Sequence, residues 1–229
     1  MGCVSFLQGF AMRATALTSC GAAVGGASGQ VTTTGFVKVE IEADEADGEE
    51  IEQTKADGTR CYYRKTAKKL NGHKVNAEFC NVDYDLFSLI TGVTVLLDDA
   101  VSPQARGFAI DSASYASTHF ALEIWTDTDN GCLDTSGRKY GYILLPWVYN
   151  GSVGTPTIEN GSANFTLSDA FTRFGNQWGV GPYKIQYNKS GVASPLFSPV
   201  SATTDFLLWQ TNMAPPTNVC GYQTLVLPT

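Results

Sequence analysis

Alternation of apolar and polar residues is the recurring pattern along this chain, and alternation at period two predicts strands. In HFALEIWT, Phe120, Leu122 and Ile124 alternate with His119, Ala121, Glu123 and Trp125. KYGYILLPWV, residues 139–148, is its natural antiparallel partner, with Pro146 marking an edge or a bulge. Further strands are predicted at 13–17, 93–97, 106–110 and 164–167, in FLLWQ and in YQTLVL, and Tyr183, Ile185 and Tyr187 alternate as in a half-buried strand. The pattern shifts once, in VDYDLFSLITG, where Asp83 can cap a short helix, Leu86, Phe87, Leu89 and Ile90 form a buried stripe, and Gly92 closes it. Residues 20–35 are glycine-rich and nearly without side chains, and are predicted to be a mobile arm or long loop.

The stretch from Thr34 to Cys80 combines strand patterning with an abrupt change of charge. Eight carboxylates fall between Glu40 and Glu52, and Lys55, Arg60, Arg64, Lys65, Lys68, Lys69 and Lys74 follow. Asp57-Gly58 and Asn71-Gly72 are both dipeptides of type I′ hairpin turns. A four-stranded meander is the expected reading, with strands at 36–42, 51–55, 60–68 and 73–79 and an acidic loop at 42–50. Two accounts of its charges stand side by side. In one, the hairpin faces are simply solvated and pair acid opposite base, each pair contributing little. In the other, the self-repelling acid run waits for a neighbouring subunit. The candidate assembly interface is then Glu42, Asp44, Glu45, Asp47, Glu49, Glu50 and Glu52, with Arg64, Lys65, Lys68 and Lys69.

Composition narrows the class. The 229 residues fit one large all-β domain, and 43% hydrophobic with only 16% charged residues leaves the surface to Ser, Thr, Asn and Gly. A formal charge of −7 argues against a reader of nucleic acid. The six cysteines include no C-x-x-C pair and no clustered histidines for zinc, so reduced thiols are expected, although Cys61 and Cys80 could face each other across an Asn71-Gly72 hairpin. No stretch approaches the eighteen or so apolar residues of a membrane span. No membrane span, cofactor or metal is expected.

Candidate chemistry is thin. No G-x-S-x-G, H-E-x-x-H, phosphate loop or G-x-G-x-x-G motif is present. His73 and His119 lie alone in predicted strands, and Asp98 and Asp99, as neighbours on a strand, point to opposite faces. Asp127, Asp129, Asn130 and Asp134 bunch as in a calcium loop, but the sixth position of an EF-hand would be Cys132 and the twelfth Arg138, so an exposed loop is expected. An enzyme is the least favoured class. A jelly-roll capsid-decoration or carbohydrate-binding module is the alternative, with Trp125, Trp147, Trp178 and Trp209 as a sugar platform, set against their packing in a core.

The order of motifs resembles a known family. TTTGFVKVEIEADEADGEEIEQTKADGTRCYYRKTAKKLNGHKVNAEFCNVDYDLFSLITG is similar to the front half of the major tail proteins of long-tailed phages, particularly those infecting actinobacteria. FALEIWT, GYILLPWV, WGVGPY and APPTNVCGY resemble segments of its back half, so the resemblance covers most of residues 5–222. It implies a mainly β, β-sandwich or barrel-like tail-tube fold with one short flanking α-helix and long loops. It further implies hexameric rings of this chain stacked into a tube, assembled in the host bacterial cytoplasm with reduced thiols. Tape-measure protein and DNA would occupy the lumen without specific binding, and tail terminator and tail-tip proteins would close the ends. Six subunits each giving the four meander strands make a ring of about 24 strands, of radius roughly 24 Å, which duplex DNA of roughly 20 Å would pass.

Overall fold

Glu123 is fully buried. It belongs to a strand whose Phe120, Leu122 and Ile124 enter one hydrophobic core while Ala121 and Trp125 enter another. A strand buried on both faces needs a covering layer on each side, and the architecture follows from that requirement.

The structure, a computed structural model, describes residues 5–111, 118–129, 140–159 and 162–228. In chain order its strands are β1 (Ser5–Ala16), β2 (Gly26–Thr33), β3 (Phe36–Ala46), β4 (Glu50–Thr54), β5 (Arg60–Lys65), β6 (Lys69–Phe79), β7 (Thr94–Leu97), β8 (Ala105–Ala109), β9 (His119–Asp129), β10 (Tyr140–Tyr149), β11 (Ser152–Val153), β12 (Thr157–Glu159), β13 (Ser162–Thr172), β14 (Gln186–Tyr187), β15 (Ala193–Ser194), β16 (Leu207–Thr211) and β17 (Val219–Leu225), with a helix α1 (Tyr84–Thr91) between β6 and β7. The fold is mainly β and sandwich-like. One large antiparallel sheet runs β17-β2-β1-β9-β10-β13-β6-β3, and β16 also pairs with β10 while β11 and β12 pair with β13. The sheet forks at β10: Tyr140–Leu144 take β16 as neighbour, whereas Val148 and Tyr149 take β13. Pro146 lies in the break between them, where the β9 ladder also skips from Leu145 to Val148.

Helix α1 covers the first face. Asp83 caps it by accepting from the amides of Asp85 and Leu86, and Gly92 ends it in the left-handed conformation. Leu86, Phe87, Leu89 and Ile90 enter the core as the sequence predicts. Phe87 stacks on Phe108 of β8 at 5.7 Å and meets Phe79 edge-on at 5.4 Å, which seats the β7–β8 hairpin over the helix. The other Asp83 oxygen accepts from the Gly221 amide at 2.8 Å, tying the helix start to β17.

The second face is covered by residues 173–206, which contain little regular structure. Trp178, Ile185 and Leu196 bury their side chains against Ala11, Trp125, Tyr142 and Trp147. Buried Asn176 stitches this layer together by donating to the carbonyls of Ser201 and Thr204, both at 2.9 Å. The strand predicted around Tyr183–Tyr187 shrinks to Gln186–Tyr187, while Tyr183 and Ile185 turn their side chains onto the second core.

Between these layers lies a buried ion pair. Arg13 and Glu123 stand opposite each other in the β1–β9 register and form a fork of bonds at 2.6 and 2.8 Å. Tyr142 donates to the same carboxylate at 2.7 Å, and the guanidinium stacks 3.3 Å from the centre of the Tyr183 ring. Burial works against the Arg13 charge, but Glu123 outweighs it and its pKa stands above the ordinary value. Burial, reinforced by Glu123, pushes the Tyr142 hydroxyl well up, so it remains a donor.

Two regions hold more strand than the sequence pattern predicts. β1 begins at Ser5 and not near residue 13, with bulges around Gly9 absorbing its irregular start. Residues 26–33, expected within a mobile arm, form β2 between β1 and β17. Their small side chains permit close approach: a Cβ on Gly29 would fall 2.5 Å from that of Leu225. Asp98 faces no partner carboxylate, and instead turns the β7–β8 hairpin by accepting from the Gln104 and Ala100 amides and Arg106. The suspected calcium loop lies largely in residues 130–139, outside the described residues. Cys20, Cys61, Cys80 and Cys220 are free and exposed, and Cys61 does not face Cys80.

Arg13→Met strands the Glu123 carboxylate and should destabilise the fold by about 3–5 kcal/mol in urea unfolding, while Arg13→Met with Glu123→Leu should recover most of that loss.

Candidate assembly interface

β3 leaves the body of the protein as an edge strand. Phe36, Val39 and Ile41 still pack on the first core, but from Glu42 to Asn71 every residue except Gly48 is exposed. The four predicted strands are all present, yet their connection differs from a meander. β3 pairs with β6 from Phe36↔Phe79 to Ala46↔Lys69, and β4 pairs with β5 from Glu50↔Lys65 to Thr54↔Arg60. The segment is one long hairpin bent near Gly48, where a side chain would collide with the Thr66 carbonyl. Residues 42–46 of the predicted acidic loop are strand, as is Glu50.

Only one of the two expected turns is a turn. Asp57-Gly58 closes the tip, with the Asp57 carboxylate accepting from the Thr59 amide and hydroxyl, bonds that hold its pKa low. Asn71-Gly72 is a bulge in β6, opposite the register shift between Asp44 and Glu45. Gly72 adopts φ 147° and packs so tightly on β13 that a Cβ would lie 2.8 Å from the Thr172 carbonyl oxygen. Beside it the His73 amide donates to the Thr172 hydroxyl, which donates to Asp205, and Asp205 also bonds the His73 ring, each at 2.7 Å. This clamp roots the hairpin. Beyond it the arm reaches at most about 50 Å at roughly 3.3 Å per residue.

Several of the candidate interface charges are paired within the arm itself. Glu52 meets Arg60 at 2.9 Å, Glu50 meets Lys65 at 3.4 Å, and Lys68 lies between Glu45 at 3.1 Å and Asp47 at 3.8 Å. All are exposed, so these pairs set register more than they hold structure together. Glu42, Asp44, Glu49, Arg64 and Lys69 form no ion pair among the described residues.

The β4–β5 register separates two faces that the charge count hides. Glu50, Glu52, Tyr63 and Lys65 share one face, with Arg60 stacked on Tyr63. Ile51, Gln53, Tyr62 and Arg64 share the other, where Ile51 is 44% and Tyr62 46% exposed. Sequence reasoning passed over this apolar face. The signal was present in Ile51 among acids and Tyr62 among bases, and reading it required the hairpin register.

His119 lies beside Trp147, which donates to its Nδ1 at 3.2 Å; burial, then Arg173, holds its pKa below the usual value. No group of three metal-ligating side chains gathers among the described residues. Trp125, Trp147 and Trp178 are buried in the second core, so the four tryptophans do not form a shared platform; only Trp209 of the four is substantially exposed.

No protein-family model matches this chain, and no curated protein matches its sequence.

A two-stranded ribbon exposed on both faces is marginal by itself. Backbone amides of residues 44–70 should therefore exchange with deuterium far faster in the isolated chain than those of 74–79. Gly72→Val should loosen the root, speeding exchange at His73 and Val75 and costing about 1–3 kcal/mol of stability.

Proposed function

We propose that this chain is a structural subunit that polymerises with copies of itself into the tail tube of a long-tailed phage, as hexameric rings stacked around a channel for DNA. The observation that carries the reading is the arm. Thirty consecutive residues, 42–71, leave the body with their backbone edges open and with Gly48 alone not exposed. Open edges are templates for pairing with another chain, and a protein that keeps such a long one needs something to cover it. A second copy supplies matching edges at the same concentration. The motif order described for residues 34–92 and the back half points to the same class.

The sheet supports a lumen wall better than the arm does. Across β3, β6 and β13, Lys38, Glu40, Glu42, Lys74, Asn76, Glu78 and Thr166 share one polar face, while Val39, Ile41, Val75, Ala77 and Leu167 turn to the core. With Asp169, which pairs with Lys74 at 2.9 Å, this face carries four carboxylates against two ammonium groups. β12 and β11 complete it as a fourth, broken strand on β13. Four such strands from each of six subunits give about 24 strands and a channel near 38 Å. Six two-stranded arms alone would close at a radius of roughly 12 Å, leaving about 14 Å, too narrow for duplex. In this reading β3-β6-β13 with β11/β12 faces the channel, and the arm reaches a neighbouring subunit. A net negative wall repels phosphate within a Debye length of about 8–10 Å, so DNA slides without binding.

The test removes the arm and spares the body. Because Ala46 and Lys69 are ladder partners, replacing residues 47–68 by Asn-Gly retains the β3–β6 pairing. The expected outcome is a folded monomer with the near-ultraviolet dichroism of the parent that no longer forms rings or tubes in negative-stain micrographs. Tubes of normal diameter from the armless chain would overturn the assembly role.

A further inference from the structure

We propose that Trp209 and Phe197 form a platform for a neutral oligosaccharide, one or more sugar rings stacking on the aromatic faces and hydrogen-bonding to the side-chain amides beside them. The two rings stand between two grooves. One, of about 270 Å³, is lined with Gln186, Tyr187, Asn188, Gln210 and Asn212. The other, of about 300 Å³, is lined with Leu196, Pro199, Val200 and Leu207. Trp209 is 37%, Phe197 58% and Tyr187 42% exposed.

Exposed aromatics are ordinarily free to reorient, but Trp209 is fixed. Its Nε1 donates to Gln186 Oε1 at 3.1 Å, and Gln186, itself buried, donates from Nε2 to the Pro195 carbonyl at 2.7 Å. Asn212 accepts from the Tyr187 amide at 3.2 Å, joining the end of β16 to the same wall. An indole held by such a bond and still 37% exposed gives up little freedom when a ligand stacks on it. The polarised C–H bonds of a pyranose face suit the negative face of an aromatic ring. The amide nitrogens of Asn188 and Asn212 and the Gln210 amide make no side-chain bond among the described residues, and donors and acceptors of that kind match hydroxyls and acetamido groups. Among the described residues lining the two grooves only Lys189 is charged, which favours a neutral sugar over an acidic one. This inference stands apart from the tube reading, since it concerns a surface of the single chain distant in sequence from the arm.

Full-length protein labelled with fluorotryptophan tests it by fluorine NMR, with cellotetraose and chitotetraose as probes. The expected result is a saturable shift of the Trp209 resonance, assigned from Trp209→Phe, with the three buried tryptophans unmoved and a Kd of about 0.1–1 mM. Whichever probe binds tighter distinguishes hexose from N-acetylhexosamine. Trp209→Ala and Phe197→Ala, both at exposed positions and checked for fold by thermal unfolding, should each weaken binding by at least about tenfold in calorimetric titration with the tighter probe. No shift with either probe overturns the proposal, as does unaltered affinity in both variants. A Trp209 shift that follows protein concentration without sugar also overturns it, and assigns the ridge to a second copy of the chain.

Discussion

The structure depends on one constraint: β1, β9 and β10 are buried on both faces, so the chain must supply two covering layers for a single sheet. Helix α1 with the β7–β8 hairpin provides one, and the stitched loops of 173–206 provide the other. Successive cross-strand pairs therefore belong to different cores, Met12 and Ile124 to the first, Ala11 and Trp125 to the second. The Arg13–Glu123 fork occupies the second side, where a slip of one residue would carry the pair into the helix-covered core. Buried charge of this kind contributes little net stability compared with apolar residues, but it penalises every wrong register heavily.

Covering the central strands uses α1, the β7–β8 hairpin and the loops of 173–206, and among the described residues no layer extends over β3 beyond Ile41. The arm is the consequence. Its charges are paired along the hairpin by Glu50–Lys65 and Glu52–Arg60, interactions too exposed to stabilise thirty residues in water. What holds it is its root, where Gly72 lies against Thr172 and the Thr172–Asp205–His73 clamp joins β6, β13 and the loop layer. A rigid root with an open ribbon is suited to a segment whose structure is completed by another chain.

The two exposed features differ in kind. The arm offers backbone edges and a face bearing Ile51 and Tyr62, which fit a protein partner. The Trp209–Phe197 ridge offers aromatic rings with side-chain amides and almost no charge, which fit a sugar. They arise from different parts of the chain, and each can be altered while the double-faced sheet remains.

Local elements were legible in the order of residues alone. Alternation placed β9 and β10, Asp83 and Gly92 bounded α1, Asp57-Gly58 set the arm's tip, and Pro146 marked a break in the ladder, because each depends on side-chain period or on the φ preferences of one or two residues. Tertiary structure decided which strands pair and what is covered. Asn71-Gly72 has the residues of a turn, yet Thr172 packing makes it a bulge, and the meander becomes one long hairpin. Residues 26–33 have the composition of a flexible loop, yet they are a strand because β1 and β17 lie on either side to take their hydrogen bonds. Three of four tryptophans have the same local appearance as the fourth, and only the layer that packs over β9 and β10 separates them. Pairing and burial join residues far apart in sequence, Arg13 and Glu123 being 110 positions apart, and no local window of sequence contains both partners.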